Sequence, residues 1–139
     1  MSLYPSWATN RGQPAAMSTR HPENTPVPGV LIVRIDAQVY YANAMTVRDQ
    51  VKAMITEMEP PPRAVIFDAG AQDEMDVTST EVIKGLMNKL QGKGIEVYLA
   101  DIHAPVLEVG SKAGLREIIG EEHVFLTVDS AVRSIERTG

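Results

Sequence analysis

Residues 64–81 have the sequence AVIFDAGAQDEMDVTSTE, and this stretch decides the fold class. The apolar run 64–67 lies between a triple proline and an Ala-Gly pair, which predicts a short strand covered on both faces. Apolar residues then recur at helical spacing over 82–90 and predict a helix with one core-facing stripe. A buried strand therefore leads through an acidic loop into a helix.

Hydroxyl side chains open this predicted helix. Thr78 and Glu81 have the Ser/Thr-x-x-Glu spacing of a capping box, so we expect Thr78 to be the N-cap. A phosphate there would be attracted by exposed backbone amides and repelled by the neighbouring acids. Thr78 is thus the candidate phosphorylation or switch residue, and a plain structural cap is the alternative. The candidate interaction residues of the same loop are Asp73, Glu74, Asp76, Ser79, Thr80 and Glu81.

Composition limits the class of protein. A chain of 139 residues with 44% hydrophobic content is long enough for one ordinary core, so one globular domain is expected. A net charge of −5 argues against nucleic acid as a partner, because phosphate contacts need clustered Lys and Arg. The chain has no cysteine, and its three histidines lack ligand spacing, so we expect neither a metal site nor a cofactor.

Residues 1–28 differ in composition from the rest of the chain. They contain five of the nine prolines among polar residues without periodicity, which predicts a linker or disordered segment. Residues 29–139 then form the expected domain. No apolar run approaches the roughly 18 residues of a bilayer span. We therefore expect a soluble fragment, which is compatible with origin in a larger membrane protein.

Strands and helices alternate along the predicted domain. Strands are expected at 30–36, 64–67, 95–100 and 124–126, with 39–41 as a further short strand or strand end. Helices are expected at 44–59, 78–91 and 105–112, followed by a last helix capped by Asp129 and Ser130. Helical crossovers between strands imply parallel pairing. The fold class is α/β, with a mixed, largely parallel sheet of four or five strands.

Three of these strands end in an aspartate: Asp36, Asp68 and Asp101. Ligands of such sheets gather beyond the carboxyl ends of the strands, so these residues are candidate ligand-facing positions. A small phosphoryl-accepting enzyme or receiver that uses Asp68 with magnesium is one interpretation. No lysine ends a strand to balance a phosphoryl group, and we expect no catalytic residue and no metal.

In these positions the chain resembles a STAS domain, the module shared by bacterial anti-sigma-factor antagonists and the cytoplasmic C-terminal tails of SulP-type anion transporters. Three segments carry the resemblance in order: 28–44, with its Asp-Ala, Tyr-Tyr and Ala-Asn pairs; 65–80, the strand and signature loop; and 94–100, the next strand. The match spans about residues 26 to 137. The Tyr-Tyr-Ala-Asn segment favours the SulP branch.

The resemblance implies a STAS-like fold and a non-catalytic regulatory domain of a sulfate or anion transporter at the cytoplasmic face of the plasma or bacterial inner membrane. Its partner would be the transmembrane domain of the same transporter. A soluble protein partner, a weakly bound nucleotide and a homodimer are further expectations. The alternative is a free-standing anti-sigma-factor antagonist switched by phosphorylation of Thr78. In antagonists the signature resembles Asp-Ser-Ser-Gly, whereas here Val77 replaces the first hydroxyl and Ser79 the glycine.

Overall fold

A five-stranded sheet forms the centre of the molecule. The computed structural model describes residues 15–18, 29–35, 39–40 and 42–138. The strands follow one another across the sheet in chain order. They are β1 (Ala15–Ser18), β2 (Val30–Ile35), β3 (Ala64–Asp68), β4 (Glu96–Ala100) and β5 (Val124–Phe125). β1 pairs antiparallel with β2, and all other neighbours pair in parallel. The predicted mixed, largely parallel sheet is confirmed.

β1 was not predicted, because residues 15–18 lie inside the expected linker. Its strand conformation depends on pairing with β2, not on a pattern of its own. The proposed domain boundary after residue 28 stays a prediction. The predicted short strand at 39–41 is absent at residues 39 and 40, and residue 41 lies outside the described residues.

In the described part of the chain, five α-helices connect or follow the strands. They are α1 (Ala44–Glu57), α2 (Val77–Gly92), α3 (Ala104–Lys112), α4 (Leu115–Ile119) and α5 (Val128–Thr138). α1 ends just before the triple proline, as expected from the loss of backbone donors there. The predicted cap of the last helix is wrong. Thr127 accepts a hydrogen bond from the Ser130 N–H through its hydroxyl (3.0 Å), and α5 begins immediately after it.

The sheet is covered on both sides, and alternate strand residues supply two separate cores. The larger core joins β2, β3 and β4 to α1, α2 and α4, with Phe67 fully buried. The smaller core lies on the opposite face, where α5 is the one helix of the described residues that covers it. Its buried members are Val30, Ile32, Ala64, Ile66, Tyr98, Ala100, Val128, Ala131, Val132 and Ile135. The odd and even strand positions therefore face different helices, which explains why the strands are apolar throughout.

Tyr98 brings a polar group into the smaller core. Its ring stacks on His123 with the centroids 4.2 Å apart, and its hydroxyl donates to Glu96 Oε2 (3.2 Å). Burial of the phenol, together with the nearby Glu96 carboxylate, raises the pKa of Tyr98 to about 12.

Candidate functional site

The loop between β3 and α2 is the candidate site, and a buried glutamine fixes it to the sheet. Gln72 is only 1% exposed. Its Nε2 donates to the Ile35 carbonyl (2.9 Å), and its Oε1 accepts from the Val39 N–H (2.8 Å). One side chain thus connects the acidic loop to the chain that leaves β2. Gln72 was not predicted as a site residue, because its partners lie more than thirty residues away and no local spacing reveals them.

Asp76 is the N-cap of α2. Its Oδ1 accepts a 2.6 Å hydrogen bond from the Ser79 N–H, and its carbonyl accepts from Thr80 Oγ1 (2.8 Å). The prediction that Thr78 caps this helix was therefore wrong. A carboxylate stands two residues before Thr78, and it satisfies the orphan N–H while adding a favourable charge at the positive helix end. Thr78 is instead the second residue of α2.

The helix start divides the candidate residues into exposed and buried sets. Thr78 is exposed, as predicted for a switch residue, and Val77 beside it is 67% exposed. The exposed acids are Asp73, Glu74, Asp76 and Glu81. Ser79 and Thr80 are fully buried. Their expected direct contact with a partner is therefore not available in this structure, since helical geometry turns them towards the core.

Ser79 places a polar hydroxyl in the core. Its Oγ is buried, and no described residue forms a hydrogen bond with it. Thr80, by comparison, satisfies its hydroxyl on the Asp76 carbonyl. An unpaired buried hydroxyl is destabilising, so Ser79 is a weak point at the start of α2.

The charge around Thr78 is negative. The first nearby cation along α2 is Lys84, whose Nζ lies 3.8 Å from Glu81 Oε2. A phosphate on Thr78 would gain from the helix dipole and lose by repulsion from these acids. The exposed surface is therefore suited to contact cationic groups of a partner.

The aspartates at the strand ends meet only in part. Asp36 lies outside the described residues. Asp68 pairs with Arg34 on the neighbouring strand (3.2 Å) and accepts a hydrogen bond from the Gly70 N–H (3.0 Å). A Cβ at Gly70 would lie 3.2 Å from Asp68 Oδ1 and would collide with the Asp101 carboxylate, so both acids flank this glycine.

Asp101 and His103 lie close to Gly70. Asp101 has a left-handed backbone (φ 56°), and its N–H donates to the Phe125 carbonyl (3.1 Å). His103 Nε2 lies 2.9 Å from the Gly70 carbonyl oxygen. Within the described ranges, no three His, Asp or Glu side chains form a group that could hold a metal ion. Asp68 and Asp101 therefore lie on either side of Gly70, and their role as ligand-facing positions stays a prediction.

The STAS domain family model matches residues 21–131, most of the chain. This chain belongs to the STAS family. Sulfate transporter 1.3 of Arabidopsis thaliana is 28% identical over 123 residues, covering 83% of this chain and 19% of that protein. The STAS chain thus spans about a fifth of the length of the curated relatives it matches. The resemblance to SulP transporters seen in the sequence is confirmed.

Solved structures share the fold of this STAS domain. The murine Solute Carrier 26 family member A9 anion transporter matches with a TM-score of 0.73 at 24% identity, covering 82% of this chain and 19% of that one. The SulP transporter STAS domain from Vibrio cholerae has a TM-score of 0.70 at 17% identity, covering 83% and 87%. The anti-sigma factor antagonist SpoIIAA in its unphosphorylated form has a TM-score of 0.62 at 15% identity, covering 78% and 89%.

Apolar side chains on the surface of the STAS domain add to the site. Tyr40 is 50% exposed and Met45 54% exposed, and both lie at the amino end of α1. With Val77 they place apolar surface at the amino ends of two adjacent helices. Tyr40 and Met45 were not predicted as site residues. The position of Met45 off the apolar stripe of its helix is the signal that indicates its exposure. No helix in the described part of the chain is both long and apolar enough to span a bilayer.

Proposed function

We propose that this STAS domain is a non-catalytic regulatory and interaction domain of a SulP-type sulfate or anion transporter. The family match and the sulfate-transporter relatives support the assignment. In this proposal the chain is part of a larger membrane protein and lies at the cytoplasmic face of the plasma or bacterial inner membrane. Its main partner is the transmembrane domain of the same transporter.

The acidic docking face is the surface through which we propose that this contact is made. It consists of Asp73, Glu74, Asp76, Val77, Thr78 and Glu81, all of which are exposed. Cytoplasmic loops near membrane spans are rich in Lys and Arg, so a negative surface complements them. The Asp76 cap and the Gln72 bridge hold the backbone of this face, which lowers the entropy cost of binding. Exposed acids on a rigid helix start are the observation that carries the proposal.

Charge reversal in the full-length transporter tests the docking face. We expect Asp73→Lys combined with Glu74→Lys to reduce sulfate uptake at unchanged surface abundance, because like charges would then meet at the contact. Glu136→Lys is the matched control, since this exposed glutamate belongs to α5 on the opposite side of the sheet. Equal uptake by wild type and the double variant, or an equal loss in the control, would contradict the proposal.

The second candidate is a free-standing antagonist switched at Thr78. The exposed hydroxyl at the second residue of α2 favours it, because a kinase could reach this position. Val77 and Ser79 depart from the antagonist signature and weigh against it. An upstream reading frame with apolar segments of about 20 residues supports the transporter, whereas a gene starting near Pro28 supports the antagonist.

The remaining partner expectations are narrower. A soluble protein partner, a weakly bound nucleotide, a homodimer and the absence of nucleic-acid binding stay predictions. For a magnesium-dependent enzyme, Asp68 would have to leave its contact with Arg34. Titration with Mg²⁺ while amide shifts near Asp68 and Asp101 are followed tests this function, and saturable shifts at millimolar metal would support it.

A further inference from the structure

A groove of about 300 Å³ lies between α1 and α2, beyond the first turn of each helix. Arg48 and Lys52 line it from α1, and Lys89 lines it from α2. Gly85 forms part of its floor, where an added Cβ would meet no atom within 4 Å. The missing side chain leaves the groove open to solvent along α2.

The groove is cationic in a chain whose net charge is −5. Glu81 is its one lining carboxylate, and it lies 3.8 Å from Lys84. Arg48 pairs with Asp49 at 3.0 Å. Among the residues that the structure describes, no carboxylate forms an ion pair with Lys52 or Lys89.

The two lysines line the same groove from neighbouring helices. The side-chain contact with Lys89 lowers the pKa of Lys52 below its ordinary value, and partial desolvation and the charges of Lys89 and Arg48 act in the same direction. The Asp49 carboxylate opposes this effect. The groove therefore brings three cations together with one lining carboxylate, and a bound anion would offset this excess of positive charge.

We propose that this groove binds a free, doubly charged tetrahedral oxyanion of the sulfate or phosphate class between Lys52 and Lys89, with Arg48 adding a third positive charge. Such an ion offers acceptor oxygens to both ammonium groups at once and relieves their repulsion. Glu81 borders both the groove and the acidic docking face. The three cations do not belong to that face, so oxyanion binding does not depend on docking.

Titration of the 139-residue chain with sodium sulfate and sodium phosphate, at ionic strength held constant with sodium chloride, tests the site. We expect saturable amide shifts in α1 and α2 in the wild type. Lys52→Ala and Lys89→Ala should each raise the anion concentration at the midpoint about tenfold or more, because each removes a charge-assisted hydrogen bond. Lys112→Ala is the matched control, since Lys112 is an exposed lysine on α3 near Glu108 (3.5 Å), and it should bind as the wild type does.

Circular dichroism spectra of each variant establish that it is folded, and removal of one of two repelling charges favours folding. Shifts that are absent at tens of millimolar sulfate, or equally strong in Lys52→Ala and Lys89→Ala, overturn the proposal. Chloride shifts with the same midpoint also overturn it, since they would indicate general screening. Charge reversal at Asp73 and Glu74 leaves the groove intact, so failure of docking and failure of oxyanion binding are distinguishable.

Discussion

Removal of the Asp76 side chain separates the two helix caps that the sequence allows. Asp76→Ala deletes the acceptor of the 2.6 Å bond from the Ser79 N–H and leaves this amide without its cap. Loss of an N-cap costs about 1 kcal/mol, and loss of a negative charge at the helix start costs about 0.5 kcal/mol more. We therefore expect the free energy of unfolding to fall by about 1–2 kcal/mol.

Two matched variants assign this cost. Asp76→Asn keeps an acceptor and removes the charge, so it should lose only about 0.5 kcal/mol. Thr78→Ala removes a hydroxyl that does not cap the helix and should change stability by less than about 0.5 kcal/mol. Urea unfolding followed by far-ultraviolet circular dichroism gives all three free energies. In a thermal scan, Asp76→Ala should lower Tm by about 3–5 °C per kcal/mol.

Two outcomes would contradict the assignment of Asp76 as the cap. If Thr78→Ala destabilises the domain as much as Asp76→Ala, or if Asp76→Ala is neutral, then α2 does not begin on Asp76. The assignment of Thr78 as an exposed hydroxyl that does not cap α2 would then also be wrong. A Thr78→Glu variant would then be unable to separate effects on docking from effects on folding.

Three further predictions concern buried polar groups. Gln72→Ala should cost about 2–3 kcal/mol in urea unfolding, because the buried Val39 N–H loses its acceptor; a neutral result would contradict the bridge. Ser79→Ala should raise the free energy of unfolding by about 1 kcal/mol, because the unpaired hydroxyl disappears; destabilisation would show that the hydroxyl has a partner. The raised pKa of Tyr98 means that the folded state keeps the phenol proton more firmly, so its contribution is complete below pH 10 and is lost as the pH rises towards about 12. Wild type should therefore lose up to about 2 kcal/mol more than Tyr98→Phe over this range, and parallel pH profiles would exclude the effect.

Local patterns were sufficient for most of the fold. The apolar run that became β3, the helical stripe of α2 and the proline stop after α1 each depend on neighbours within a few residues. They were therefore visible in a single sequence. The family resemblance, carried by three such segments in order, was visible for the same reason. The match to the STAS family model confirms it.

The remaining features depend on contacts that are distant in the chain or on close competition. Gln72 bonds to residues 33 and 37 positions earlier in the chain, and β1 pairs with β2 across a long gap in sequence. The cap of α2 was wrong because Asp76 and Thr78 are both good N-cap residues, and spacing alone does not rank them. Exposure of Thr78 was predicted, whereas burial of Ser79 followed from the exact start of the helix.

Several helices pack on one face of the sheet and α5 on the other, which has a consequence for how the chain can be shortened. Among the described elements, α5 alone packs on one face of the sheet, and it follows all five strands in the chain. Removal of the residues after Phe125 would expose Val30, Ile66 and Tyr98 to solvent as one continuous apolar surface. Such surfaces drive aggregation, so the final eleven-residue helix governs solubility as well as folding.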